Sequence, residues 1–180
     1  ALVFLSETKK SAKAMERLKW SLGFSQGVTV SCARKSGGLA LWWRDHVTVT
    51  VRHWCQYYID CQMEVDGHIY RFTGIYGEPC IEKRSKTWEV MRYLHAQDNL
   101  PWICAGDFNE ALHHDEQQGG NPRSRAQMKM FEECLTDCGL ADLGFSGYPF
   151  TWDNKRQAEE NIQVRLDRAT CTSSFMQMFP

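Results

Sequence analysis

The chain has 180 residues, 43% hydrophobic and 24% charged, a composition that excludes a disordered chain and fits one folded domain with a real core. Its formal net charge of −1 argues neither for nor against a nucleic-acid partner, so any polyanion site must be a local patch. No apolar run approaches the roughly 20 residues of a membrane-spanning helix, and "ALVFLSETKK" has neither the basic leader nor the cleavage region of a signal peptide.

"ALVFLSE" reads as a buried strand with a polar exit at Glu7. "SAKAMERLKWSLGF" places Met15, Leu18 and Leu22 on one helical face, with Gly23 as the stop. From about residue 28 to 76 the period changes to β-rich runs: "VTVSCA", "GLALWW", "HVTVTVR", "QYYIDCQMEV" and "HIYRFTGIYG". The "VDGH" between the last two predicts a two-residue hairpin turn. A second helix follows in "RSKTWEVMRYLHAQ", with Trp88, Met91 and Leu94 on one face, and "LPWICAG" returns to strand. Ser124, three residues before Gln127, has capping-box spacing and opens a third helix through Met128, Phe131 and Leu135 to Gly139. "YPFTWDN" and "IQVRLDRAT" read as two short strands around the polar loop "KRQAEEN". Many β-runs with helices between groups of them, and a meander in the middle, predict an α+β fold: two packed sheets with helices outside.

The eight cysteines sit in apolar segments, as Cys32, Cys55, Cys61 and Cys104 do, where a reduced thiol packs as a small hydrophobe. No CxxC pair is present, and Cys134 and Cys138 stand one helical turn apart facing the core, so neither a disulfide scaffold nor a zinc site is expected. "DFNEALHHDEQQ" has Asp107 and Asn109 at the first and third places of a calcium loop. It then fails at the fifth (Ala111), sixth (Leu112) and twelfth (Gln118). "HHDE", His113 to Glu116, reads as a solvated loop.

Polar residues stand where strands end: Glu7 after "VFLS", Tyr76 after "FTGI", Asp107 and Asn109 after "ICAG", and Asp167 within "VRLDRA". Each has a structural reading: helix-start acid, half-buried strand aromatic, turn formers, and a surface ion pair with Arg165 or Arg168. Carboxylates are rarely buried without partners. If their strands were adjacent, these side chains would converge at one mouth.

At "GDFN", taken with "FLSETK", "GGLALWW", "FTGIYGEP", "CAGDFNEAL", "GGNPR", "CGLADLGFSGYPFTWDN" and "RLDRA", the chain resembles the endonuclease/exonuclease/phosphatase superfamily, and more narrowly the endonuclease domain of plant LINE-type retrotransposons. The stretches come in family order over nearly the whole chain. The resemblance implies a four-layer α/β/β/α sandwich of two mostly antiparallel sheets, DNase I-like, as a single domain over 1–180. It implies Glu7 as the Mg²⁺ ligand (Mn²⁺ as a substitute) and Tyr76, Asp107 and Asn109 as active-site groups. Asp167 becomes the aspartate that orients a catalytic histidine. It further implies a monomer that nicks DNA, with no membrane role, in the nucleus if the element is active.

Basic groups for phosphate contact are Arg34 and Lys35, Arg123 and Arg125, and Lys155 and Arg156. The family's "WNCRG"-like first strand and "SDH"-like last segment are not among these 180 residues, so the expectation is a domain cut at both ends, with Asp167 lacking its histidine and little or no hydrolysis. Two other readings stand beside the endonuclease. One is a non-catalytic remnant that binds nucleic acid weakly; the other is a phosphatase or phosphodiesterase for a non-nucleic-acid phosphoester.

Overall fold

The computed structural model describes residues 1–32 and 37–179. Strands β1 (Leu2–Leu5), β2 (Gln26–Val30) and β3 (Leu39–Trp43) pair antiparallel in the order β1-β3-β2. A second sheet holds β4 (Thr48–Trp54), β5 (Tyr58–Val65), β6 (His68–Tyr76), β7 (Trp102–Asp107), β9 (Leu140–Asp142) and β12 (Asp167–Thr172), in the order β4-β5-β6-β7-β12-β9. β8 (Gln117–Gln118), β10 (Trp152–Asp153) and β11 (Gln163–Val164) form a small ribbon at its side. The expected hairpin is present: Val65 pairs with His68 across Asp66 (φ 52°) and Gly67 (φ 78°), the twist a two-residue hairpin needs.

The described residues include four α-helices: α1 (Ala12–Ser21), α2 (Ser85–His95), α3 (Arg125–Asp137) and α4 (Ser173–Met178). The strand period of two sorts the side chains into layers. Along β3, Leu39, Leu41 and Trp43 enter the core between the sheets with Ile59, Cys61, Met63 and Phe72, while Ala40 and Trp42 turn outward against Met15 of α1. On the far face, Trp88, Met91 and Leu94 of α2 and Phe131 and Leu135 of α3 pack on Ile75, Trp102 and Cys104. The result is the α/β/β/α sandwich, with α2 as the crossover between the parallel neighbours β6 and β7.

Three local expectations are corrected. Leu18 and Leu22 do not face the core: they are 43% and 52% exposed. Met15, Phe24 and Trp42 fill the space over the narrow sheet, and the stem of Lys19 takes the inward place, its ammonium on Glu16 at 2.9 Å. Ser124 does cap α3, but through its carbonyl, which accepts from Gln127 and Met128; its side chain makes no capping bond. "IQVRLDRAT" is two strands in different sheets, β11 and β12, hinged at Arg165 and Leu166. β9, only three residues long, was too short to show a period, and it pairs on the outer side of β12. Cys134 and Cys138 face the core as expected.

Candidate active site

Sheet register brings three of the expected residues into one row. In the parallel pair β6–β7, Tyr76 lies opposite Asp107; in the antiparallel pair β7–β12, Asp107 lies opposite Asp167. Neighbouring strands stand about 4.8 Å apart, so the row advances by roughly that step. Glu7 arrives from the other sheet, two residues beyond β1, and accepts a 2.7 Å hydrogen bond from Tyr76 Oη on Oε1. The four residues therefore meet at one mouth between the sheets. Glu7 plays no part in starting α1, whose cap is Ser11.

The exit from β7 explains how Asp107 and Asn109 come to share a side. Phe108 between them is fully buried, its ring 5.3 Å from Phe131 and its N–H on Leu166 O at 2.9 Å. Anchoring that ring leaves both polar neighbours at the mouth. Gly106 permits the exit: its φ is 139°, and a Cβ there would sit 2.1 Å from Ile75 O. Asp107 Oδ1 accepts from Asn109 N–H at 2.7 Å, an Asx turn that holds Asn109 at φ 56°. Asn109 Nδ2 donates to Gly77 O at 2.8 Å, and Gly77 N–H to Asp107 O at 2.7 Å. The turn-forming bonds are the bonds that orient the site. Glu7 also has a left-handed backbone, φ 49°, so two non-glycine site residues hold a conformation that is uncommon and costly.

Electrostatics single out Asp107. Burial pushes its carboxyl up to about 6; the Asn109 N–H opposes this, the charges of Asp167 and Glu7 add to it, and Arg84 opposes it. Burial, then the bond to Glu7, pushes the Tyr76 phenol well above its ordinary range, so it stays protonated and acts as a donor. Glu7 has one cation nearby, Lys9 at 3.4 Å, in an exposed pair of the kind that contributes little. The Asp167 side chain makes no hydrogen bond or ion pair with any described residue, histidines included; its backbone N–H bonds Thr151 Oγ1 at 3.0 Å.

The expected ion pair of Asp167 with Arg165 or Arg168 is therefore not formed. Both arginines are buried and bond Glu116 and Asp142 at 2.6 to 3.0 Å. The solvated reading of "HHDE" holds for His113, His114 and Asp115 but not for Glu116, which also takes Leu112 N–H at 2.7 Å. Burial explains both corrections, because a guanidinium inside the fold needs a carboxylate beside it.

The basic candidates are scattered. Arg123 is bonded to Glu110 Oε1 at 2.7 Å. Arg125 is exposed, with no bonded partner among the described residues, and lines a cavity of about 460 Å³ with His113, His114 and Lys129. Lys155 and Arg156 form exposed pairs with Asp153 and Glu160. Arg34 and Lys35 lie outside the described residues. Sequence reasoning missed Thr151, Arg84 and Glu110, which bond the backbone and side chains around the row. A charge directly after "GDFN", at the start of an apolar stretch, was the available signal for Glu110.

Among the described residues, no three of His, Cys, Asp and Glu are arranged to hold a metal ion alone. Mg²⁺ does not require that, since it keeps several waters and takes one or two carboxylates plus substrate phosphate. A surplus of hard oxygen donors, with Glu7 and Asp167 exposed and Asp107 raised by burial and then by its acidic neighbours, fits such an ion.

No curated protein matches the sequence. Solved structures do. The chain is similar to the endonuclease domain of TRAS1, a telomere-specific non-LTR retrotransposon, at 16% identity and TM-score 0.66, covering 95% of this chain and 83% of that one. It is similar to an AP endonuclease from Archaeoglobus fulgidus at 14% identity and TM-score 0.72, covering 98% and 77%. The 3′ phosphatase NExo from Neisseria, bound to a product DNA hairpin, matches at 17% identity and TM-score 0.66, covering 96% and 76%. At these identities the likeness establishes the fold. The model of the endonuclease/exonuclease/phosphatase family matches residues 2–174, nearly the whole chain, and the protein belongs to that family.

Proposed function

We propose that the protein is a Mg²⁺-dependent phosphodiester hydrolase of retroelement type that acts on DNA. The observation that carries this is the row Tyr76–Asp107–Asp167, joined by Glu7 from the facing sheet: three carboxylates gathered with no guanidinium bonded to any of them, around one carboxyl raised to about 6. That value suits a group that takes a proton from water near neutral pH. Glu7 would hold the ion, steadied by Tyr76 Oη. Bound Mg²⁺ supplies charge stabilisation on the phosphoryl oxygens and acidifies water.

Asp107 accepts the proton of the attacking water. Asn109 has one amide N–H on Gly77 O and turns the other toward a phosphoryl oxygen, where a fixed donor counts most. Tyr76, kept protonated, donates to the same phosphate when it leaves Glu7. Arg125, Lys155, Arg156 and the free donors of Arg123 contact flanking phosphates, giving salt-dependent affinity with little sequence preference. The similarity to a retrotransposon endonuclease domain and to a DNA-bound phosphatase supports DNA as substrate.

A second reading, a DNA-binding domain without hydrolysis, draws on one observation: no described histidine partners Asp167. A plasmid-nicking assay separates the two. The first expects slow nicking that needs Mg²⁺ and disappears in EDTA and in Asp107→Ala. Nicking that survives both controls contradicts it, and a wild-type chain that binds DNA without nicking supports the second.

A further inference from the structure

Glu110, directly after Asn109, is 1% exposed, and nothing in the chemistry above uses it. Its Oε2 accepts from Arg84 Nη1 at 2.6 Å; its Oε1 accepts from Arg123 Nη1 at 2.7 Å and from Ala111 N–H at 3.0 Å. The two arginines also reach the backbone. Arg123 Nη1 bonds Asn109 O at 3.3 Å, and Arg84 Nη2 bonds Pro79 O at 3.3 Å.

Pro79 and Asn109 belong to the two segments that carry the site. The first leaves β6 through Gly77, whose carbonyl holds Asn109 Nδ2; the second leaves β7 through Asp107. The ladder between β6 and β7 ends at Tyr76 and Asp107. Beyond it the segments are joined by Gly77 N–H to Asp107 O, by the Asn109 amide, and by the Arg84–Glu110–Arg123 bridge. We propose that Glu110 is a positioning residue: with Arg84 and Arg123 it forms a buried clamp that keeps the Asp107–Asn109 turn in its phosphate-facing geometry. This rests on the function proposed above.

Two features distinguish a clamp from an ordinary buried ion pair. Two guanidiniums against one carboxylate leave one positive charge behind an otherwise acidic mouth, and Arg84 acts on Asp107, opposing the effect of burial. A surplus cation there favours a phosphate in front of it. In addition, Arg84 Nε is buried without a partner. Buried donors are normally satisfied, so this guanidinium gives up one hydrogen bond while reaching Glu110 and Pro79 together.

The test uses the whole chain and amide hydrogen exchange. Arg84→Met with Glu110→Leu replaces the buried pair by apolar side chains of similar size, a change folds often tolerate; Arg123→Gln, at a partly exposed position, is the second variant. In the double variant, protection of the Asn109 backbone and side-chain amides should fall about tenfold, the scale of one lost hydrogen bond, while amides of Met91 and Phe131 keep theirs. Arg123→Gln should lower Asn109 protection by about threefold. Where the wild type nicks, kcat should fall more than KM changes. Unchanged Asn109 protection in both variants overturns the clamp. Exchange is read without hydrolysis, so a chain that never nicks contradicts the proposed function and leaves this result standing.

Discussion

Two clusters of acids gather around β12, one at its start and one beside β9, and are treated in opposite ways. Glu116 and Asp142 are clasped by Arg165 and Arg168. Burial alone would push both carboxyls up, yet the bonds from Arg168 to Glu116 and from Arg165 to Asp142 hold them below their ordinary values. Glu7, Asp107 and Asp167 have no such clasp, and the most buried of the three is pushed up. Both groups contain acids that composition cannot tell apart. What separates the two groups is whether the fold supplies a bonded guanidinium to each.

That contrast can be broken at several points. The largest expected effect is on hydrolysis: Asp107→Ala should lower Mg²⁺-dependent nicking by roughly 10² to 10⁴, the range for loss of a general base, while Thr50→Ala on β4 should leave it unchanged. Next is stability in the clasped cluster. Glu116→Ala leaves two buried guanidiniums short of a partner and should cost about 3–5 kcal/mol by urea denaturation, against less than about 1 kcal/mol for exposed Glu133→Ala.

The third effect has the opposite sign. Asp107 stands at about 6 in the folded chain against an ordinary 3.8, so the folded state binds its proton more tightly than the unfolded one. Its contribution is fully present below about pH 4 and is lost as pH rises to about 6. In EDTA, Asp107→Asn should therefore gain on the wild type between pH 4 and 6 and level off above, by on the order of 2 kcal/mol. Urea midpoints at pH 4, 5, 6 and 7 read this directly, and a flat difference would contradict a carboxyl raised by the fold. The smallest effect is on DNA affinity: Arg125→Gln should reduce the salt slope of binding by about one unit, measured by fluorescence anisotropy between 50 and 200 mM salt.

The sequence disclosed the layers more readily than the local contacts. The apolar run of "GLALWW" and the Trp88, Met91, Leu94 stripe needed nothing beyond local pattern, because burial is what such runs encode. Glu7, Tyr76, Asp107, Asn109 and Asp167 stood out as polar residues at strand exits, and the family motifs assembled them. Their meeting depends on register, Tyr76 opposite Asp107 opposite Asp167, which is a long-range property no local window contains. The partners of Arg165 and Arg168 were hidden for the same reason: Glu116 is 49 residues from one and 52 from the other. Adjacency in sequence suggested Asp167 instead. Leu18 and Leu22 misled because a helical stripe shows which face is apolar, not how much sheet lies beneath it.

The central claim is that the unclasped acids are the ones that take a metal ion. Substoichiometric Mn²⁺ added to the chain, followed by NMR of the side-chain carboxylates, tests it directly. The account predicts that the Glu7 signal broadens first and the Asp107 signal with it, while Glu116 and Asp142 stay sharp. Broadening at Glu116 or Asp142 with Glu7 unaffected would contradict it.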